Sequence, residues 1–213
     1  LLLFLGMPVV FAMTISGFIA MLFIGNISGT LIPQRLFMSL DSFPLMAVPF
    51  FIFAGEIMSK SGIIQRIVKF STSILGTIPG SLAHVNILAS MIMAGFSGSA
   101  TADATALGGM IIPAMIDDGY PTDFTVGVTA SSSCIGPIIP PSCVMVMYGA
   151  ITGLSIGRLF FSGIIPGILV GISLMTLTAF YAKKNNWPRG EKQNIRQLFI
   201  AFKQTFFALI APL

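Results

Sequence analysis

Charge is scarce in this sequence. Eleven Lys and Arg and seven Asp and Glu make up 8% of its 213 residues, against about a quarter in a soluble domain. Hydrophobic residues reach 55% and the mean hydropathy is +0.95. A water-soluble core cannot hide that much apolar surface, so soluble globular classes are excluded. A transmembrane β-barrel is excluded too, because its strands alternate polar and apolar residues and lack long apolar runs. Cysteine occurs twice and histidine once. Cys134 and Cys143 both fall in apolar segments, which argues against a disulfide framework or a zinc site. No P-loop, HExxH, dinucleotide fingerprint or nucleophile elbow is present. The reading is therefore not an enzyme, and not an ATP-driven pump in its own right. The opening LLLFLGMPVV has no basic n-region and does not read as a signal peptide. With the apolar run FFALIAPL at the other end, it leads us to expect a piece of a longer protein.

What remains is a chain of apolar runs, and the fold class is all-α integral membrane. Leu1 to Ile24 is long enough to cross a bilayer. A loop through Arg35 and Asp41 leads to a second span, Ser42 to Met58. Ile63, Ile64, Ile67, Val68 and Ile74 then share one helical face while Lys60, Arg66, Lys69 and Ser73 take the other. This predicts an amphipathic helix lying in the interface. Ser81 to Phe96 is apolar but reaches only ~24 Å, short for a ~30 Å hydrocarbon core. It is interrupted by GFSGSAT, and a second arm follows from about Ala102 to Ile116. Phe124 to Cys134 is again short, broken by IGPIIPPS and completed by Cys143 to Ile151. Leu159 to Ala182 is a full span. A basic loop follows, and Ile195, Leu198, Phe199, Phe202 and Phe206 predict a second amphipathic helix.

The basic residues fix the sides. Lys60, Arg66, Lys69, Lys183, Lys184, Arg189, Lys192, Arg196 and Lys203 are nine of the eleven, and the positive-inside rule puts them all in the cytoplasm. The broken segment and the span after it make two crossings. Residues 81–117 must therefore return to the side they left. A re-entrant hairpin turning at GFSGSAT satisfies this, and so do two short full spans. The second break, some 36 residues later, favours the hairpin.

Loose backbone in hydrocarbon is tolerated only inside protein or beside a wet cavity. Pro137, Pro140 and Pro141 prevent a regular helix, and Gly95, Gly98 and Gly136 relax the backbone. Half-helix C-termini aim free carbonyls inward and N-termini aim free N–H groups, a pairing that suits a hard cation beside a carboxylate. Candidate cation ligands are the carbonyls near Phe96–Ser97 and Cys134–Gly136 and the hydroxyls of Ser97, Ser99 and Ser142. Thr101 and Asp103 open the second arm, where such residues also cap a helix. Plain capping thus stays open as an alternative.

GSATADATALGGMIIPAM, then IGPIIPPS with MYGAITGLSIGRLFFSGIIPG downstream, and LFLGMPVVFA at the start resemble the large membrane (M) subunit of TRAP (tripartite ATP-independent periplasmic) transporters. The resemblance runs along the whole chain and matches the N-terminal half of such a subunit. It implies an elevator-type, Na⁺-coupled secondary importer of organic anions such as C4-dicarboxylates or sialic acid. The substrate would come from a periplasmic binding protein, and a small four-helix membrane subunit would be the partner, all at the bacterial inner (cytoplasmic) membrane. A Na⁺ site matching the family's would use Ser97, Ser99, Gly136, Ile139 and Pro141. Asp103, Thr101 and Ser142 would support it or meet substrate. The other Na⁺ site and the full substrate pocket would need a second repeat. The resemblance further implies scaffold spans over 1–60, an arm helix and linker over 61–80, and half of a transport domain over 81–152. Within that half, the hairpin covers 81–117 and the broken helix 121–152. A span over 153–182 would lead to a second arm within 183–213. The alternative is a binding-protein-independent Na⁺/anion symporter of the wider elevator superfamily; a channel or scaffold would not need two facing breaks.

Among the remaining polar residues, His84 and Glu56 read as interfacial, Glu56 close to Lys60. Asp117, Asp118 and Asp123 read as solvated turn residues, and Trp187 as an interfacial anchor.

Overall fold

Apolar runs without β-alternation can satisfy their backbone only as helices, and the computed structural model is all-α. It describes residues 2–4, 6–24, 30–40, 46, 49–50, 53, 55–57 and 61–190. The second amphipathic helix and most of the span Ser42–Met58 lie outside them. The chain divides into two compact units, one within residues 1–45 and the other within 46–213.

The first unit holds α1 (Val9–Ile24) and α2 (Leu31–Leu40). Pro8 sits just ahead of α1 and its carbonyl accepts the Ala12 N–H. That is a tolerated place for a residue with no N–H of its own. α2 lies where the sequence suggests a loop. Its Pro33 falls in the first turn, where the N–H groups have no partner within the helix.

The second unit contains α3 (Ile63–Leu75), α4 (Ser81–Ser97), α5 (Ala100–Asp117), α6 (Thr122–Ser133), α7 (Cys143–Thr152) and α8 (Ile156–Lys184). α3 is the amphipathic helix the pattern predicts, burying Ile64 and Ile67 against α4. α4 is the hub and packs on α3, α5, α6 and α8. Ala83, Val85, Ile87, Ala89 and Ala94 are fully buried along it. Its polar residues face α6. Asn86 Nδ2 donates to Thr129 Oγ1 at 2.6 Å and Ser90 Oγ to Ser132 Oγ at 2.9 Å. These bonds tie two apolar helices at fixed register where no water competes.

α8 is, among the described residues, the one helix both long and apolar enough to cross a membrane. Its 29 residues span ~43 Å, and Lys183 and Lys184 close it. Gly163, Gly167, Gly171, Thr178 and Ala182 are its buried residues, spaced so that one stripe lets neighbouring backbones approach closely. A Cβ on Gly163 would strike the Ile138 carbonyl and Met145, one on Gly167 would strike Ile139, and one on Gly171 would strike Met91. The opposite face exposes Phe161, Ile165, Leu169 and Phe180.

Both feet of the α4–α5 hairpin meet the end of α8. The Gly80 N–H donates to the Pro188 carbonyl at 3.0 Å. The Tyr120 ring, just after α5, lies 4.8 Å from that of Trp187. The hairpin therefore starts and finishes at the same end of the unit.

Candidate functional site

The far end of the hairpin is its tip. α4 stays helical past Gly95 and stops at Ser97, so the turn is narrower than its glycines suggest. Gly98 alone takes the left-handed conformation there, with φ 56°. The tip presses on the second break. A Cβ on Gly98 would collide with the Pro141 carbonyl, and would lie 3.2 Å from Ser142 Cα and 3.3 Å from Cys143 N. The two breaks, some 36 residues apart in sequence, are in backbone contact.

The second break runs from Cys134 to Ser142 between α6 and α7. It contains a cis bond between Pro140 and Pro141. Ser142 caps α7 by accepting the Met145 N–H at 3.3 Å. Gly136 is required for space rather than for an unusual backbone angle. A Cβ there would sit 2.8 Å from Asp103 Oδ2 and 3.2 Å from both the Ser133 oxygen and the Ser99 carbonyl carbon.

Asp103 is 0% exposed. Its Oδ1 accepts the Ser97 hydroxyl, and the Ser97 oxygen in turn accepts the Ser99 N–H at 3.3 Å. Its Oδ2 has no hydrogen-bond partner among the described residues. A buried carboxylate oxygen left unpaired is costly, and here it looks across at Gly136. Ser99 caps α5, its hydroxyl accepting the Ala102 N–H at 3.4 Å and lying 3.0 Å from Thr101 Oγ1. Capping is thus realised for Ser99 and Ser142, whereas Ser97 and Asp103 bond to each other.

Of the residues singled out in the sequence, Ser97, Ser99, Asp103 and Gly136 converge on one spot. Pro141 and Ser142 adjoin it through Gly98. The Ile139 side chain turns the other way, onto Gly167 of α8, which leaves only its backbone for any role at the tip. Thr101 lies on the outer side of the tip, in the wall of a cleft of about 540 Å³ lined by Gly55, Glu56, Ser97, Ser99, Thr101, Ala102, Thr105 and Ala106. Gly55 approaches the tip closely, since a Cβ there would stand 3.7 Å from Ser97 Cα. Glu56 therefore belongs to a cleft wall rather than to a membrane surface alone. Nothing in its sequence neighbourhood signals this, because the tip it faces lies some 40 residues away. His84 is buried, with no partner for Nδ1 among the described residues. Trp187, read from the sequence as an interfacial anchor, is buried and packs against Tyr120.

A family model described as the tripartite ATP-independent periplasmic transporter, DctM component, matches residues 1–213. The chain belongs to the DctM family of TRAP transporter components. This makes it a multi-pass protein of the bacterial inner membrane and a transport component rather than an enzyme. Among curated relatives, the sialic acid TRAP transporter permease protein SiaT of Haemophilus influenzae is 48% identical over 84% of this chain and 29% of its own length. The sialic acid TRAP transporter large permease protein SiaM of Vibrio cholerae is 43% identical over 99% of this chain and 49% of its own. The C4-dicarboxylate TRAP transporter large permease protein DctM of Rhodobacter capsulatus is 32% identical over 96% and 50%. The chain thus spans half the length of these relatives or less. The DctM-family assignment matches the reading of the hairpin and Pro-break motifs. The helical bundle, with one clear membrane-spanning helix among the described residues, agrees with a multi-pass fold.

Proposed function

We propose that this chain forms part of the membrane subunit of a Na⁺-coupled secondary importer of organic anions, working by an elevator motion. The observation that carries the reading is the contact of the hairpin tip at Gly98 with the Pro141–Cys143 break, beside the buried and half-satisfied Asp103 carboxylate. The α4–α5 hairpin is re-entrant, entering and leaving on the cytoplasmic side. The gathering of both its feet at the Lys-bearing end of α8 supports this. The domain boundaries proposed are scaffold over 1–60, arm and linker over 61–80, transport-domain half over 81–152, a further span over 153–182, and a second arm within 183–213.

Na⁺ is cargo here. The donor set is all oxygen, as a hard cation prefers: Ser97 and Ser99 hydroxyls with backbone at Gly136, Ile139 and Pro141. Asp103 holds Ser97 in place and adds negative charge next to Gly136. Ser142 and Thr101 orient the helix starts, and the cleft beside Thr101 and Glu56 borders the substrate route. A sialic acid or C4-dicarboxylate substrate is suggested by the names of the relatives, and a periplasmic binding protein and a small membrane subunit by the resemblance to the family. They are part of the proposal.

The test is uptake by the complete complex in proteoliposomes, with labelled sialic acid and a labelled C4-dicarboxylate as probes. Uptake should need both an inward Na⁺ gradient and the binding protein. Uptake indifferent to Na⁺ refutes the coupling, and Na⁺-dependent uptake without binding protein favours the simpler symporter instead. Ser97→Ala and Ser99→Ala should each weaken the Na⁺ dependence while the protein still folds.

A further inference from the structure

Two helix ends in the second unit close in the same way. α5 ends with Gly119 left-handed at φ 85°, and the Tyr120 N–H reaches back to the Met115 carbonyl at 3.0 Å. α8 ends with Asn186 left-handed at φ 51°, and the Trp187 N–H reaches back to the Ala182 carbonyl at 3.1 Å. Each is a six-to-one helix stop that brings the following side chain back over the last turn. The two side chains so placed, Tyr120 and Trp187, pack against one another with ring centroids 4.8 Å apart and planes tilted by 45°. Phe124 completes the group, 4.4 Å from Trp187. The Tyr120 hydroxyl is buried near Leu82 and Ala83 in the first turn of α4, with no hydrogen-bond partner among the described residues. Burial and the nearby Asp118 charge push its phenol up to about 12, so the group stays neutral at any physiological pH.

The backbone crosses the same spot. Pro79 and Arg189 pair as an antiparallel bridge and the Gly80 N–H bonds Pro188. A Cβ on Gly80 would stand 2.7 Å from Ala182 Cβ. Segment 185–190 thus lies across the mouth of the hairpin and joins its two feet.

We propose that this strap is a clasp, with Trp187 and Tyr120 as positioning residues for the hairpin tip. An arm of 17 residues is a rod of ~25 Å. Any splay at the mouth therefore displaces Ser97, Ser99 and Asp103 at the other end. The Na⁺ readout below rests on the proposed coupling; the exchange readout does not.

The experiment uses the complete complex. Trp187→Ala should raise deuterium exchange at residues 97–103 by roughly tenfold through local opening. It should also raise the Na⁺ concentration for half-maximal uptake, and Trp187→Phe should restore most of both. Cys134 and Cys143 sit at the break, away from the mouth, so they can stay. A Pro79→Cys, Arg189→Cys pair oxidised to a disulfide then replaces the aromatic clasp. In the Trp187→Ala background, oxidation should return tip exchange to the unmodified level. The proposal is overturned if Trp187→Ala leaves tip exchange unchanged, or if oxidation fails to reverse its effect. It is also overturned if the disulfide in an otherwise unmodified protein abolishes uptake, since the clasp would then have to open. If uptake by the unmodified protein ignores Na⁺, the coupling proposal fails and the exchange arms alone decide the clasp.

Discussion

Gly136→Ala is the smallest change that tests the meeting of the two breaks. One methyl group would enter a space where Asp103 Oδ2 is 2.8 Å away and two backbone atoms, Ser133 O and Ser99 C, are 3.2 Å away. Ordinary contact begins near 3.4 Å, so the carboxylate must retreat by about 0.6 Å and the backbone by about 0.2 Å. None of these is the end of a flexible chain. Asp103 is held by Ser97, and the Ser99 carbonyl carbon belongs to the residue that caps α5. Overpacking of this kind costs about 1–3 kcal/mol. Relief comes either from separating tip and break or from breaking the Ser97–Asp103 bond, and either distorts the proposed cation shell. If half of that cost falls on the bound state, the Na⁺ concentration for half-maximal uptake rises between about twofold and about twelvefold. The assay is initial uptake against Na⁺ concentration in proteoliposomes, with the thermal midpoint of the purified complex measured alongside. An alanine protein with unmodified Na⁺ dependence and midpoint would refute the packing argument. A lowered midpoint with unmodified Na⁺ dependence would refute the link from packing to the ion.

Gly98→Ala should be more damaging still. It adds about 1–2 kcal/mol for a left-handed backbone to its collision with the Pro141 carbonyl, and loss of thermal stability together with uptake is the expected readout. A double-mutant cycle of Ser90→Ala with Ser132→Ala should return a coupling of about 0.5–1 kcal/mol, as for other hydrogen bonds between membrane helices, measured by unfolding in detergent. Gly167→Leu should separate α8 from the break by colliding with Ile139 and lower the yield of folded protein, while Leu169→Ala on the exposed face should leave it unchanged.

Much of this architecture is legible in the sequence because its signals are local. The hairpin arms and both breaks announce themselves through Gly98 and through Pro137, Pro140 and Pro141. α3 announces itself through the spacing of its isoleucines. In the second unit boundaries agree within a few residues, α4 running one residue beyond Phe96 and α8 extending two residues past Ala182, whereas α1 begins at Val9 rather than at Leu1 and its 16 residues fall short of the full span expected there. What escapes is contact between distant segments. Gly55 approaches the tip, Ile139 meets Gly167, and Trp187 meets Tyr120, and each pairing is decided by packing rather than by neighbours in the chain. The four-residue spacing of Gly163, Gly167 and Gly171 is a readable signal for the face α8 buries. α2 escapes because its ten residues are few and carry Pro33 and Arg35, and a proline there looks like a breaker until it is placed in a first turn. Gly136 shows a subtler limit. The sequence suggests backbone freedom, whereas the structure needs an absent side chain.

The scarcity of cysteine has a practical consequence. The two thiols of the chain bracket the Pro-rich break: Cys134 is exposed and closes α6, and Cys143 opens α7. Maleimides react with thiolates, which form only where water reaches the sulfur. The labelling rate of Cys134 is therefore a gauge of water access at the break, and needs no engineered residue. Followed with and without Na⁺, it would time the wetting of the break while every residue proposed to touch the ion stays as nature made it.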